Sequence, residues 1–166
     1  LDEHEQQNIE DAIYWSLKTI LKADSIFSEV FLQKLHVRMF GKVWKWAGEY
    51  RKSNKNIGVD RWLIAPELRV LLDDVRYWHD NKIYPPDELA IRFKHRLVSI
   101  HCFPNGNGRH SRLVADIVIS KVYGMPLFTW SAAGSETQTE QRARYIKAMK
   151  AADQGDIQAL LIFARS

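Results

Sequence analysis

A glycine-rich loop and two arginines follow one another within a short stretch of the chain. Gly106 and Gly108 flank Asn107, and glycines permit backbone turns in which successive N–H groups converge on an anion. Helical periodicity resumes at this point, so the free N–H groups of a helix start would face the same anion. Arg109 and Arg112 lie three residues apart, on one face of that helix, and suit phosphate oxygens. The pattern predicts a polyphosphate site, with a solvated loop as the alternative.

His101 directly precedes the loop and is the candidate general base. Imidazole titrates near neutrality, so a histidine beside a bound triphosphate predicts deprotonation of an attacking hydroxyl. A structural histidine at a helix end is the alternative. His95, His101 and His110 lack the spacing of metal ligands. Cys102, the single cysteine, excludes an internal disulfide and fits a reducing cytoplasm; because neighbouring side chains point apart, it is not expected to pair with His101 as a nucleophile.

The elements that position these residues are mostly helices, because apolar residues recur at helical spacing through most of the chain. Helices are expected over about 7–22, 28–40, 66–80, 87–100, 108–123, 135–152 and 156–163, with the motif loop and its helix at 101–123. Residues 51–65 lack a helical stripe and predict a short β-hairpin flap. The capping-box pattern SETQ, from Ser135, is expected to start its helix. The prediction is one all-α domain over 1–166 with a small β excursion.

The composition is that of a globular protein, with 46% hydrophobic and 27% charged residues among 166. No apolar run approaches the roughly 20 residues that span a bilayer, so we expect a cytoplasmic protein without a membrane partner. A net charge of +4 favours anionic partners, nucleotides or nucleic acid. The arginines concentrate at one loop instead of forming a stripe, which makes a helical nucleic-acid-binding protein the weaker alternative.

The stretch HCFPNGNGRHSR, residues 101–112, closely resembles the Fic family motif H-x-F-x-[D/E]-G-N-G-R-x-x-R. The segment WAGEYRKSNKNIG resembles the strand-and-flap region that precedes this motif, and YIKAMKAADQGDIQALLIF resembles the closing helices of the family. The resemblance therefore covers nearly the whole chain and implies a mainly helical Fic-like fold. Within the family, the sequence looks most like the bacterial subgroup called mobile mystery protein B, whose companion is a small helix-turn-helix protein.

The resemblance implies transfer of AMP from ATP to a Ser, Thr or Tyr hydroxyl of a target protein. His101 would take the proton from that hydroxyl. Residues 106–108 would hold the α- and β-phosphates, whereas Arg109 and Arg112 would hold the outer phosphates and the leaving pyrophosphate. Such chemistry depends mainly on positioning and on charge neutralisation, which agrees with the polyphosphate site predicted from the residues themselves.

The flap would dock the target protein as an added strand, by the same resemblance. Its expected docking residues are Lys55, Asn56, Ile57, Gly58 and Val59. Tyr145 would lie near the adenine, with an ordinary core position as the alternative. The expected partners are the target protein, a regulatory partner such as the companion helix-turn-helix protein, and a second copy of the chain in a homodimer.

The departure from the family motif is Asn105, which stands where an acidic residue usually binds Mg²⁺. An amide oxygen can ligate a hard cation but brings no charge, so Mg²⁺ should bind weakly or mainly through the phosphates. Slow adenylylation, a different donor, or a nucleotide-binding module without turnover are the open alternatives. The intact residues 106–108 argue against the phosphate-transferring Doc branch. The nearest match to the family's inhibitory helix, Ser25–Val30, fails at its last position.

Overall fold

The computed structural model describes residues 2–132 and 134–166, and every regular element within them is a helix. The α-helices are α1 Glu3–Lys18, α2 Ala23–Ile26, α3 Glu29–Phe40, α4 Ile64–Asp80, α5 Pro86–Ile100, α6 Asn107–Ile117, α7 Gln138–Asp153 and α8 Gln158–Arg165. A 3₁₀ turn, Arg61–Leu63, leads into α4, and a π-helical turn, Val118–Val122, extends α6. The predicted mainly helical class is confirmed. Within the described ranges, no helix is both long and apolar enough to cross a membrane.

Helices α5 and α6 form the centre of the fold. Helix α5 packs against α4, α6 and α8; α1 packs on α3, α3 on α6, and α7 on α8. One connected cluster of buried side chains fills the space between them. Its members on α5 and α6 include Leu89, Ala90, Ile91, Phe93, Val114, Ala115 and Ile117. The loop 101–106 is therefore presented from two rigid central helices.

Two residues with left-handed backbone conformations delimit this loop. Helix α5 starts with Pro86 in its first turn and ends at His101, whose φ is 58°. Helix α6 starts after Gly106, whose φ is 81°. Glycine adopts this conformation without strain, whereas a histidine with positive φ is uncommon and costs roughly 1–2 kcal/mol. Non-glycine residues in such conformations cluster at functional sites.

Two predicted helix starts are wrong by a few residues. Helix α1 begins at Glu3 because the Asp2 side chain accepts a hydrogen bond from the Glu5 N–H (2.8 Å), and the helix ends at Lys18. The capping box of α7 uses Thr137 and Glu140, two residues after the predicted Ser135. In both places a nearby side chain caps the helix in place of the predicted start. The sequence pattern therefore predicted the helix but not the residue at which it begins.

The predicted β-hairpin flap is wrong, since residues 51–65 contain no strand. Instead, residues 52–58 form an exposed loop, the flap loop, that leads to the 3₁₀ turn. The Arg51 N–H donates to the Cys102 carbonyl (2.9 Å) and the Val59 N–H to the Ile100 carbonyl (3.3 Å). The backbone N–H groups at the two ends of the loop therefore bond to the end of α5 and the residues after it. They do not pair with each other, as they would in a hairpin.

Candidate active site

A cleft of about 730 Å³ opens beside the loop between α5 and α6. Ile57 and His101 line one side, the start of α6 lines the floor, and α7 lines the other side. A second cavity of about 290 Å³ extends along α6 and α7 to Arg112. The two cavities share Gly108, Arg109, Arg142 and Tyr145. The structure thus brings the predicted base, glycine loop, arginines and Tyr145 into one groove.

His101 lies half-buried at the cleft. Burial lowers the pKa of its imidazole, and the positive charges of Arg51 and Lys55 lower it further. The ring is therefore neutral at neutral pH, which is the state that accepts a proton. Gly58 packs directly beneath it: a Cβ at Gly58 would lie 2.6 Å from the His101 Cβ, and its φ is +92°. The flap loop is thus one support of the candidate base.

The Asn107 side chain closes the glycine loop from within. Its Oδ1 accepts from the Phe103 N–H (3.0 Å), and its Nδ2 donates to the Phe103 carbonyl (2.8 Å). Both polar ends of this buried amide are therefore engaged in the loop itself. Its own backbone N–H, in the first turn of α6, remains directed out of the helix end. An anion at the helix start would meet backbone N–H groups and not the Asn107 amide.

His36 on α3 holds the loop from the other side, a role that sequence reasoning missed. Its Nδ1 accepts from the Gly48 N–H (2.9 Å), so its Nε2 is the protonated nitrogen and donates to the Asn105 carbonyl (3.0 Å). The ring stacks on Phe103 with a centroid distance of 3.9 Å. Burial lowers the pKa of His36 to about 4, which keeps it neutral. The tautomer required for the loop is thereby locked.

The two glycines of the loop differ in what surrounds them. A Cβ at Gly106 would lie 2.6 Å from the Phe40 ring, and the residue has positive φ. A Cβ at Gly108 would meet no atom within 4 Å, although Gly108 lines both cavities. The protein itself therefore needs glycine at 106 for its fold. At 108 a side chain would project into the open space of the two cavities.

The two predicted arginines have different partners. Arg109 forms an ion pair with Glu5 of α1 (3.3 Å) and lies over the Phe40 ring. Arg112 lies 4.6 Å from the centroid of Tyr145. It is also near Trp130 and Phe163 (5.4 and 5.7 Å to the ring centroids). In the described ranges no carboxylate forms an ion pair with Arg112, which lines the second cavity. Its positive charge acts on Asp116, farther along α6, where it opposes the effect of burial on the pKa of that carboxyl.

Asn105 offers little to a metal ion. Its Oδ1 accepts from the Gly106 N–H (2.8 Å). Among the residues that the structure describes, no group of three or more His, Cys, Asp or Glu side chains could hold a metal. One partly engaged amide oxygen fits a single contact to a cation that other groups hold. Cys102 is no nucleophile here, because burial raises the pKa of its thiol to about 12.

The flap residues reach the site to different degrees. Ile57 lines the cleft, and Lys55 is near enough for its charge to lower the pKa of His101. Val59 pairs with the end of α5, whereas Asn56 is exposed. Tyr145 lies where the two cavities meet, its hydroxyl accepting from the Lys94 Nζ (2.5 Å).

Other site residues had no signal in the sequence. Arg142, on α7, lines both cavities beside the two predicted arginines. The buried Arg51 guanidinium donates to carbonyls of the flap loop and of the end of α5, namely His101, Ser53, Ile100 and Val59. Arg51 reaches His101 and Ile100 across about 50 residues, and Arg142 lies on a different helix from Arg109 and Arg112, so neither residue belongs to a local pattern.

Comparison with known proteins agrees with this geometry. A family model described as Fic/DOC family matches residues 26–119. The protein adenylyltransferase Fic of Aedes aegypti is 24% identical over 168 residues, covering 98% of this chain and 32% of the relative. Its Drosophila melanogaster counterpart is 27% identical over 158 residues, covering 90% of this chain and 29% of the relative. The chain thus spans about a third of the length of these curated relatives.

Solved structures share the fold. Fic-1 from C. elegans superposes with a TM-score of 0.76 at 21% identity, covering 95% of this chain and 46% of that one. BepC from Bartonella tribocorum, solved with bound AMPPNP, has a TM-score of 0.72 at 18% identity, covering 98% of this chain and 83% of that one. The family model spans more than half of the sequence and includes the loop, the candidate base and both arginines. The chain belongs to the Fic/DOC family.

Proposed function

We propose that this chain is one catalytic domain that transfers AMP from ATP to a Ser, Thr or Tyr hydroxyl of a target protein. The observation that carries the proposal is the pairing of a neutral, half-buried His101 with a helix start left open by Gly108. A base and an anion site in one cleft suit attack on a phosphate ester. The curated relatives that are named protein adenylyltransferase Fic support the same reaction.

In the proposed step the target hydroxyl oxygen bonds to the α-phosphorus of ATP, and the bond from that phosphorus to the β-phosphate bridge breaks. His101 accepts the hydroxyl proton, and pyrophosphate leaves. The backbone N–H groups of Asn107 and Gly108 hold the α- and β-phosphates, whereas Gly106, whose own N–H donates to the Asn105 Oδ1, shapes the loop. Arg109 and Arg112 take the outer phosphates, with Arg142 beside them. Developing negative charge is thereby met by preorganised donors.

ATP enters as its Mg²⁺ complex in this proposal. Asn105 would supply one neutral oxygen ligand and the phosphates would hold the ion, because the described residues near the loop offer no carboxylate cluster. When bound, the ion would offset part of the negative charge of the leaving pyrophosphate. The AMPPNP bound to BepC supports a nucleotide as the ligand of this fold. Tyr145, at the junction of the cavities, is proposed to lie near the adenine end of the nucleotide.

The target protein docks along the flap loop in this proposal, although that loop is not a strand. Lys55, Asn56 and Ile57 are exposed and available to the target, and Ile57 lines the cleft, while Gly58 and Val59 attach the loop to the site. We also propose membership of the mobile mystery protein B subgroup, with the helix-turn-helix companion as regulatory partner, a homodimer, and a bacterial cytoplasmic setting. Co-purification of the two chains and light scattering test these partners.

Intact-mass spectrometry after incubation with ATP and Mg²⁺ tests the reaction, on the protein alone and with a lysate fraction as the source of targets. A mass gain of one AMP on the chain or on a target is expected for the wild type. It should disappear in His101→Ala and persist in His4→Ala, which changes an exposed histidine on α1. Equal labelling by His101→Ala would refute the proposed base.

A second candidate function is a nucleotide-binding module without turnover, which two observations favour. Asn105 lacks the charge that binds a metal, and Glu5 occupies Arg109. ATP binding by calorimetry without any AMP transfer, even in Asn105→Asp, would support this alternative. Salt-dependent DNA binding that survives Arg112→Ala would instead support a nucleic-acid-binding protein.

A further inference from the structure

The Lys94 amine is wholly buried behind the phosphate groove. It lies on α5 with 0% exposure, and its Nζ donates to the Ser111 hydroxyl (3.2 Å) and to the Tyr145 hydroxyl (2.5 Å). Both acceptors are neutral. No carboxylate of the described chain forms an ion pair with it. A buried ammonium without an anionic partner is costly, and burial lowers the pKa of Lys94 to about 7.

Arg112 is the charge that acts most directly on this amine. Both groups lie close to the Tyr145 ring, whose centroid is 5.0 Å from the Lys94 Nζ and 4.6 Å from the Arg112 guanidinium. After burial, the positive charge of Arg112 is the second cause of the lowered pKa of Lys94. The two side chains therefore share one aromatic neighbour, and of the two only Arg112 lines the groove.

Charged groups on the other helices that pack against α5 have partners of their own. The helix α4 carboxylate Asp74 pairs with Arg96, and Arg165 of α8 pairs with Asp87. Lys121, in the π-helical turn, donates to the Leu17 carbonyl. On α5 itself the neighbouring His95 pairs with Asp153 (2.8 Å) and Arg92 with Glu88 (2.7 Å). From α7, Tyr145 is neutral, since burial raises its pKa, and Arg142 lines the groove beside Arg112. From α6, the Asp116 carboxylate interacts with the charge of Arg112, although the two form no ion pair.

We propose that Lys94 is a proton acceptor coupled to the phosphate site, which takes up a proton when a nucleotide polyphosphate binds at Arg112. The inference rests on the proposed nucleotide site. Bound phosphates offset the charge of Arg112, so the repulsion that keeps a proton off Lys94 falls. By linkage, a ligand that raises proton affinity is itself bound more tightly where the proton is available. Nucleotide affinity therefore falls as the pH rises through the range just above 7.

Calorimetry in several buffers measures this proton directly. MgATP is titrated into the protein at pH 7.5 in HEPES, Tris and imidazole, which differ in ionisation enthalpy. If bound phosphates raise the pKa of Lys94 by about one unit, the wild type should take up about half a proton more than Lys94→Met. The variant Lys147→Met, an exposed lysine outside the groove, should match the wild type. Methionine replaces only the buried amine, so Lys94→Met is expected to fold.

The outcomes separate the two proposals. Equal proton uptake by wild type and Lys94→Met, with ATP bound by both, would overturn the coupling and leave the nucleotide site standing. Absence of ATP binding by calorimetry and by equilibrium dialysis would overturn both. An NMR titration of the Lys94 ¹³Cε resonance in the wild type does not depend on the variant. Its midpoint should move to higher pH with saturating MgATP, and an unchanged midpoint would refute the inference.

Discussion

At the scale of single residues, the site depends on which polar groups and which space the side chains leave available to a ligand. Asn107, which looks in sequence like a phosphate ligand, has both side-chain ends bonded to Phe103. Gly108, which looks like a turn glycine, has open space where a side chain would be. Some residues of the motif, such as Asn107, therefore stabilise the loop, whereas others, such as Gly108, leave open space beside it.

The two loop glycines should respond differently to alanine. Gly106→Ala should lower the free energy of unfolding by more than about 1–2 kcal/mol, because its φ is positive and Phe40 fills the adjacent space. Gly108→Ala should leave stability unchanged or slightly higher, since alanine favours a helix. It should nevertheless weaken ATP binding by about tenfold, roughly 1.4 kcal/mol. Urea unfolding and calorimetry measure both, and equal stability losses would contradict this reading.

At the scale of elements, hydrogen bonds hold the flap loop against the end of α5. Arg51 is 3% exposed and donates to carbonyls of His101 (2.5 Å), Ser53 (3.0 Å) and Ile100 (3.2 Å), and also to the carbonyl of Val59. In a hairpin the backbone N–H and C=O groups of the two strands bond to each other, whereas here backbone carbonyls accept hydrogen bonds from the Arg51 side chain. The strand prediction relied on the β-branched residues around Gly58, a local pattern that does not reveal these bonds to the end of α5.

Arg51→Met should detach this loop. Removing the donors leaves buried carbonyls unpaired, so unfolding should become easier by about 2–3 kcal/mol, and the Val59 amide should exchange faster. Arg61→Met is the matched control, because Arg61 donates to the Lys52 carbonyl at the exposed surface. Its effect should stay below about 0.5 kcal/mol. If the two substitutions changed hydrogen exchange equally, Arg51 would not be the residue that holds the flap loop against the end of α5.

The start of α7 also belongs to this scale, since Gln138 and Arg142 line the second cavity. Thr137→Ala removes one half of the capping box and should cost about 1 kcal/mol of stability. It should also weaken ATP binding by loosening the first turn. Ser135→Ala, at the start predicted from the sequence, should change neither quantity. Thermal unfolding and calorimetry on the two variants test this, and a larger loss for Ser135→Ala would reverse the assignment.

At the scale of the whole molecule, buried histidines make stability depend on pH. Burial lowers the pKa of His36 to about 4 and that of His110 to about 3, against about 6.5 when unfolded. Their contribution is complete above about pH 6.5 and is lost as the pH falls, by about 1.4 kcal/mol per unit each. Burial raises the pKa of Asp116 to about 6, which offsets one histidine between about pH 6 and 4.

The free energy of unfolding should therefore fall by about 1.4 kcal/mol per pH unit between pH 6 and 4.5. Asp116→Asn removes the opposing group, so its slope should roughly double. His4→Gln, at an exposed position, should follow the wild type. Urea titrations across this range measure the slopes. A flat dependence in the wild type, or equal slopes in the wild type and Asp116→Asn, would show that these groups do not titrate as argued.

The sequence by itself determined the features that depend on neighbours along the chain. Helical periodicity, glycine at the loop and arginines on one helix face are local, so the helical class and the prediction of an anion site came from residues close together along the chain. Tertiary structure decided everything that joins distant segments. His36 meets Asn105, Lys94 meets Tyr145, and Glu5 takes Arg109, each across a chain separation that carries no pattern. Such contacts exist only once the core has packed, and they set the protonation, orientation and charge of the site.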